Sequence, residues 1–112
     1  MTWVLQSEIV AVYAIFGSVE EAERIGREMV ERRLAACVNI LGTCHSIYRW
    51  QGRVEAADEV AAIFKTSQAK LEPLMAAIHL AHSYDVPAIA TLPIATTHRE
   101  YLDWVLAQTE DA

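Results

Sequence analysis

The segment from Arg33 to Arg53 most constrains how this chain can fold, because it is too long for one ordinary strand. It reads RLAACVNILGTCHSIYRWQGR, with an apolar run at residues 34–38 and a second run of large apolar side chains around Ile47 and Trp50. Strands in compact domains usually end after about 5–6 residues, or roughly 17–20 Å. We therefore expect the far end of this segment to leave the core of its own subunit and form an interface.

A tight turn at Gln51-Gly52 predicts that this segment pairs with the residues that follow it. Residues 35–51 and 53–66 would form an antiparallel hairpin, and each side could exceed about 40 Å at about 3.3 Å per residue. Within it, residues 35–41 are expected in the core, whereas residues 43–53 are expected in an arm that reaches another subunit.

Length, composition and charge favour one compact domain that does not bind nucleic acid or membranes. The 112 residues are 54% hydrophobic, and we place the domain at residues 8–112 after a loose N-terminal leader at residues 1–7. A net charge of −6 with scattered basic residues disfavours nucleic acid and anionic membranes as partners. The sequence has neither a transmembrane run nor a signal-peptide pattern, so we expect a cytoplasmic protein.

Sequence periodicity places three helices among the strands. Ser18 with Glu21, and Thr97 with Glu100, match the capping-box pattern that begins a helix. The helix between these two follows residues 66–67, either of which could cap it, and carries Pro73 in its first turn.

The order of elements is strand, helix, strand, strand, helix, strand and a final helix. The first strand spans residues 8–16, and the last spans residues 88–95, where Pro93 predicts that the final part is an edge or a bulge. This order predicts an α+β, ferredoxin-like split βαβ fold (βαββαβ) with an antiparallel sheet, a long hairpin of the second and third strands, and a C-terminal helix. Because the strands are strongly apolar, we expect a partner subunit to cover the sheet face opposite the two main helices.

Two histidines near the end of the second helix are candidate metal ligands. His79 and His82 are three residues apart, and Asp85 follows just past the helix end. Imidazole and carboxylate groups suit a borderline cation such as Cu²⁺ or Zn²⁺. The alternative is structural, because histidines in a last turn can cap carbonyl groups and interact favourably with the helix dipole.

The remaining polar residues do not form a recognisable catalytic or zinc-binding pattern. Cys37 and Cys44 are seven residues apart, so on a regular strand they would point to opposite faces, which disfavours a disulfide. An acidic group around Glu59, after the hairpin turn, is interpreted as solvated surface. No nucleophile and base stand together, so we do not predict an enzyme.

Aromatic residues of the hairpin are the best candidates for a contact surface. Tyr48 and Trp50 are two residues apart, hence on one face of a strand, and we interpret them as interface anchors. A wall for a small ligand is the alternative. Lys65, at a strand end, could bind an anion or simply be a surface lysine.

Several segments in the correct order resemble the CutA family, the divalent-cation tolerance proteins. They are RLAACVNI, SIYRWQGR, the strand ending at Lys65-Thr66, HSYDVP at residues 82–87 and YLDW at residues 101–104. The resemblance covers nearly everything from residue 18 onward. It implies a ferredoxin-like subunit in a homotrimer, with long strands that cross between subunits, and a role linked to copper and other divalent metals.

The positions that this family associates with copper are only partly retained. Some members carry a Cys late in the first strand and a His-His pair at the end of the second helix, and the matching residues here are Ala14 and Ala81-His82. The predicted metal ligands are therefore His82, with Cys37 of the AACVN motif or His79. We assign the intersubunit cleft or interface to Tyr48, Trp50, Lys65, Tyr84, Asp85 and Trp104.

Two functional hypotheses follow from the sequence. The first is a non-enzymatic homotrimer involved in divalent-cation (copper) tolerance or response, with weak Cu or Zn binding and no obligatory cofactor. The second is a trimeric signalling or scaffold module, similar in architecture to the nitrogen-regulatory PII proteins, that binds a small anion or a protein partner in its intersubunit clefts.

Overall fold

The computed structural model describes residues 3–4 and 8–111 and confirms the predicted α+β fold with its βαββαβ order. The main sheet has four antiparallel strands in the spatial order β3-β4-β2-β5. The elements are β1 (Trp3–Val4), β2 (Ile9–Phe16), α1 (Val19–Glu31), β3 (Cys37–Trp50), β4 (Arg53–Ser67), a 3₁₀ turn (Gln68–Lys70), α2 (Leu71–Ala81), β5 (Ile89–Pro93), β6 (Thr97–His98) and α3 (Arg99–Gln108).

The first strand, β1, lies within the predicted N-terminal leader. Its two residues pair with β6, Trp3 with His98 and Val4 with Thr97, and form a separate two-stranded sheet. The other leader residues, 1–2 and 5–7, lie outside the described residues, so the loose leader stays a prediction there.

The two faces of the main sheet have different neighbours. On the helix face, alternate side chains such as Val12, Phe16 and Phe64 pack against buried residues of α1 and α2 and form the main core. On the opposite face, which we call the open face, α3 packs at one end, where Leu102 and Val105 join Ile9 in a smaller cluster. Neither hydrophobic cluster places a helix of the described chain on the remainder of the open face.

Gly26 allows α1 to lie close to β3. A Cβ added at Gly26 would stand 2.8 Å from Cγ1 of Val38, closer than real Cβ atoms approach other carbons. This contact agrees with the sequence, in which the apolar stripe of α1 includes this glycine.

The predicted capping boxes are only partly correct. Ser18 caps α1 and accepts a hydrogen bond from the Glu21 backbone N–H at 3.1 Å, but the Glu21 carboxylate accepts from the Gly17 N–H rather than from Ser18. Thr97 does not cap α3, because its backbone pairs with Val4 in the small sheet.

The start of the second helix also differs from the prediction. Residues 66–67 stay in β4, where the Thr66 hydroxyl donates to the Leu34 carbonyl at 2.6 Å, and neither residue caps α2. A 3₁₀ turn precedes the helix, which begins at Leu71. Pro73 lies in its first turn, as predicted, where no backbone N–H is needed.

The long hairpin of β3 and β4 confirms the pairing predicted from the turn at Gln51-Gly52, whereas the interface predicted at its far end stays a prediction. Gln51 and Gly52 have φ values of 50° and 80°, which suit a two-residue hairpin turn. Because β2 pairs with β4 only from Val60 to Ser67, residues 44–59 project as a two-stranded arm. Seven residues per strand reach roughly 23 Å, and the radius of gyration, 14.9 Å, exceeds the roughly 13 Å expected of a compact domain this long.

A β-bulge at Leu41 divides β3 into two parts. Ile40 and Gly42 pair with successive residues of β4, so Leu41 has no register partner between them. One extra residue moves every later side chain of the strand to the other face. Cys37 and Cys44 therefore lie on the same face, the open one, and the expectation of opposite faces is wrong because the strand is not regular.

Candidate functional site

A pocket of about 600 Å³ lies between the arm and the open face. Ligand pockets typically measure about 300–1,000 Å³. Four segments contribute to its wall, namely β2, the arm, the loop after α2 and the residue before β5. The lining residues are Tyr13, Ile15, Ser46, Tyr48, Trp50, Glu59, Tyr84, Asp85, Val86 and Ala88.

The bulge brings the aromatic side chains of the arm to this pocket. Counting in steps of two from Gly42 places Tyr48 and Trp50 on the open face, together with Tyr13 and Ile15 of β2. In a regular strand, with Leu41 paired to Ala61, both arm aromatics would lie on the helix face.

A hydrogen bond joins the two sides of the pocket. The Tyr84 hydroxyl, from the loop after α2, donates to Oε2 of Glu59, from the arm, at 2.9 Å. Burial, this hydrogen bond and the negative charge of Glu59 raise the pKa of Tyr84 from its ordinary value of 10.0 to about 12. The phenol therefore remains a hydrogen-bond donor at neutral pH.

His82 holds the loop that carries Tyr84 and Asp85. It is buried just beyond α2, with its ring stacked on Phe16 at 5.1 Å between centroids. Nε2 lies 2.7 Å from the Ile15 carbonyl oxygen, and Nδ1 lies 3.0 Å from the Tyr84 backbone nitrogen. A carbonyl only accepts and a backbone N–H only donates, so Nε2 carries the proton and the ring is neutral. Both ring nitrogens thus stabilise the pocket loop.

Glu21 stabilises the same loop from α1. Its buried carboxylate accepts from the Gly17 N–H at 3.2 Å and from the Ser83 N–H at 2.9 Å. Burial alone would raise the pKa of Glu21, but the hydrogen bonds from Ser83 and Gly17 outweigh it and lower the pKa. Sequence reasoning treated Glu21 only as a local cap, and the capping-box pattern gave no sign of its contact with Ser83.

The predicted metal ligands do not meet within the described chain. His79 is exposed on α2, whereas His82 is buried and Cys37 lies 3.7 Å from the Tyr101 hydroxyl. Among residues 3–4 and 8–111, no group of three or more His, Cys, Asp or Glu side chains could hold a metal ion. The assignment of these three residues to a metal stays a prediction.

Four of the six predicted cleft or interface residues line the pocket, namely Tyr48, Trp50, Tyr84 and Asp85. Lys65 lies elsewhere on the open face and hydrogen-bonds to Asn39. Trp104 stacks with Tyr101 and lines a smaller cavity of about 310 Å³ at the end of α1.

The sequence missed other wall residues. Tyr13 and Ile15 were read only as part of a buried strand, and Glu59 only as solvated surface. In the apolar run of residues 9–16, Tyr13 is the only side chain with a polar group, and this hydroxyl was the available signal for it.

The raised pKa of Tyr84 predicts a loss of stability at alkaline pH. In the unfolded chain the phenol ionises near 10.0, whereas in the folded chain it ionises near 12. Its contribution to stability is therefore complete below pH 10 and is lost as pH rises towards 12. Urea unfolding measured from pH 8 upward should show this decline, and Tyr84→Phe should make the decline shallower. Equal slopes for both proteins would contradict the pKa assigned to Tyr84.

No helix in the described part of the chain is long and apolar enough to cross a membrane.

Known proteins are similar to this chain in both sequence and fold. The family described as CutA1 divalent ion tolerance protein matches residues 10–108. The divalent-cation tolerance protein CutA of Thermus thermophilus is 46% identical over 92 residues, which are 82% of this chain and 89% of that protein. The corresponding protein of Archaeoglobus fulgidus is 42% identical over 94 residues, 84% of this chain and 91% of its own. The chain spans 56% of the chloroplastic CutA of Arabidopsis thaliana, at 36% identity over 91% of the chain.

Solved structures agree with the fold. The CutA structure from Synechococcus elongatus superposes with a TM-score of 0.92 at 27% identity and covers 97% of this chain and 96% of its own. The Archaeoglobus fulgidus structure, described as a periplasmic divalent cation tolerance protein, has a TM-score of 0.88 at 39% identity. The match covers 91% of this chain and 99% of that chain.

Proposed function

Because the chain belongs to the CutA1 divalent ion tolerance family, as its sequence motifs predicted, we propose that it acts in divalent-cation tolerance as a non-enzymatic homotrimer. The matched family and its Thermus and Archaeoglobus relatives are named for tolerance of divalent cations and not for a reaction. The projecting arm is the observation that carries the assembly.

The arm has apolar side chains that its own subunit does not cover. Ile47 is 70% exposed and Val54 is 66% exposed, and register places both on the helix-face side of the arm. A two-stranded hairpin alone is marginally stable in water. Contact with neighbouring copies would bury these side chains, and the number of copies follows the trimer implied by the family resemblance. Light scattering should give a mass near three times the 12.5 kDa of one chain.

Metal binding is the second part of the proposal. His82, with Cys37 or His79 of the same or a neighbouring subunit, would hold Cu²⁺ or Zn²⁺. Such binding should be weak, because a metal at Nδ1 of His82 must displace the Tyr84 N–H. No cofactor is required for folding in this proposal.

Titration calorimetry with Cu²⁺ and Zn²⁺ tests the assigned ligands one at a time. Replacing a true ligand by His79→Ala or Cys37→Ser should weaken binding by about tenfold or more, the loss seen even for residues that only support a ligand. The matched control is His45→Ala, which removes an exposed histidine of the arm that pairs with Asp58. Binding that is equal in all four proteins would remove both His79 and Cys37 from the metal site.

The pocket supports a second candidate function, a trimeric signalling or scaffold module that binds a small ligand or a protein partner. Its volume and its four aromatic wall residues favour a ligand. The small anion of the original hypothesis fits less well, since the described wall contains Glu59 and Asp85 but no basic residue, and Lys65 lies outside it.

A cytoplasmic location remains part of the proposal. It rests on the sequence alone, and the Archaeoglobus structure is described as periplasmic and the Arabidopsis relative as chloroplastic.

A further inference from the structure

We propose that the pocket between the arm and the open face binds an organic cation, a primary amine carried on an apolar or aromatic body. This inference deepens the second candidate function and rests on the pocket, while the trimer and the metal ligands can be tested separately.

The negative charge of the pocket wall favours a positively charged ligand. Glu59 and Asp85 are its only charged side chains among the described residues that line it. Tyr84 fixes Glu59 by donating to Oε2, which leaves the other carboxylate oxygen able to accept from a ligand. A primary ammonium has three N–H donors and no acceptor, which matches two carboxylates. An anion would meet two like charges.

The aromatic wall favours an organic cation over a bare metal ion. Tyr13, Tyr48, Trp50 and Tyr84 line the same space, and aromatic faces attract ammonium groups. Ca²⁺ takes about 6–8 oxygen ligands, and Mg²⁺ needs a near-octahedral shell, whereas two carboxylates in a pocket of about 600 Å³ supply neither. A ligand with an apolar body fills this volume and covers the aromatic rings.

Three probes of similar shape and different charge test the inference. They are 2-phenylethylammonium, 2-phenylethanol and phenylacetate, titrated at pH 7 into the isotopically labelled protein and followed by changes in backbone amide chemical shifts. The ammonium should bind roughly tenfold more tightly than the alcohol, the gain expected from a hydrogen bond to a charged group. Phenylacetate should bind most weakly. The shifts should cluster at the arm and the loop of Tyr84.

Two neighbouring substitutions distinguish the effect of the charge in the pocket wall from the effect of the net negative charge of the chain. Glu59→Gln removes the charge from the wall but keeps an oxygen that accepts from Tyr84. Asp58→Asn removes an equal charge from the other face of the arm, outside the described pocket wall. Glu59→Gln should reduce the preference for the ammonium over the alcohol several-fold, and Asp58→Asn should leave that preference unchanged.

Four results would overturn the inference: no binding of any probe, equal binding of ammonium and alcohol, tighter binding of phenylacetate, or equal effects of the two substitutions. Light scattering of the same samples keeps the two proposals apart. A trimer that does not prefer the ammonium contradicts the cation site alone, and a monomer that does prefer it contradicts the trimer alone.

Discussion

Replacing Ile47 and Val54 together by aspartate should convert the proposed trimer into monomers. Each of these side chains would be buried in the proposed interface, and full burial of a side chain of this kind contributes about 1.5–3 kcal/mol. Burying carboxylates in their place is unfavourable unless they are paired. Every subunit carries both substitutions, so every interface of the proposed trimer is destabilised. We expect the mass measured by light scattering at micromolar concentration to fall to that of one chain, 12.5 kDa.

The fold of the subunit should survive this change, because neither residue belongs to the two hydrophobic clusters. Circular dichroism of the variant checks that point. Leu80→Asp is the matched control, since Leu80 is 90% exposed on α2, away from the arm. It should leave the mass unchanged. A trimeric double variant, or a monomeric wild type, would show that the arm does not build the assembly.

Replacing His82 by alanine should lower the free energy of unfolding by about 2–4 kcal/mol, the sum of a cavity in the core and lost hydrogen bonds. The substitution leaves the Ile15 carbonyl and the Tyr84 N–H without the His82 ring. It also removes the stack on Phe16. Urea unfolding at pH 7 measures the loss.

The matched control is His79→Ala, because His79 is an exposed histidine of α2. Its effect should stay within about 0.5 kcal/mol, as for most surface substitutions. If His82→Ala proved as mild as His79→Ala, the structural role assigned to His82 would be wrong. If it also abolished weak Cu²⁺ binding in protein that is still folded, His82 would hold the metal in addition to the loop.

The sequence was sufficient to predict the fold and the arm. The apolar run of β2, the turn at Gln51-Gly52 and the excess length of residues 33–53 are local signals that need no knowledge of the rest of the structure. The edge position of β5 agrees with one of the two alternatives predicted at Pro93, an edge or a bulge, because proline cannot donate a hydrogen bond to a ladder.

The pocket was harder to predict because it depends on contacts between distant segments. Counting residues along β3 assumes a regular strand. The only local sign of the bulge in the sequence was the glycine at position 42, whose φ in the structure is 102°. His82 continues the helical spacing of α2, yet the backbone has already left the helix at this residue. Glu59 looks solvated until Tyr84, 25 positions further along the chain, donates to it.

The bulge at Leu41 also separates two evolutionary constraints on one strand. Residues 37–40 must keep the register that fills the core, whereas residues 42–50 determine which side chains the arm presents to the pocket and to other molecules. If the strand instead became regular at the same length, with Leu41 paired to Ala61, the β3 side chains of the arm would move to its other surface, while the pairing of residues 37–40 and the faces of the β4 side chains stayed as they are. Gain or loss of this bulge would therefore change the β3 half of the surface around the pocket without a change in the core.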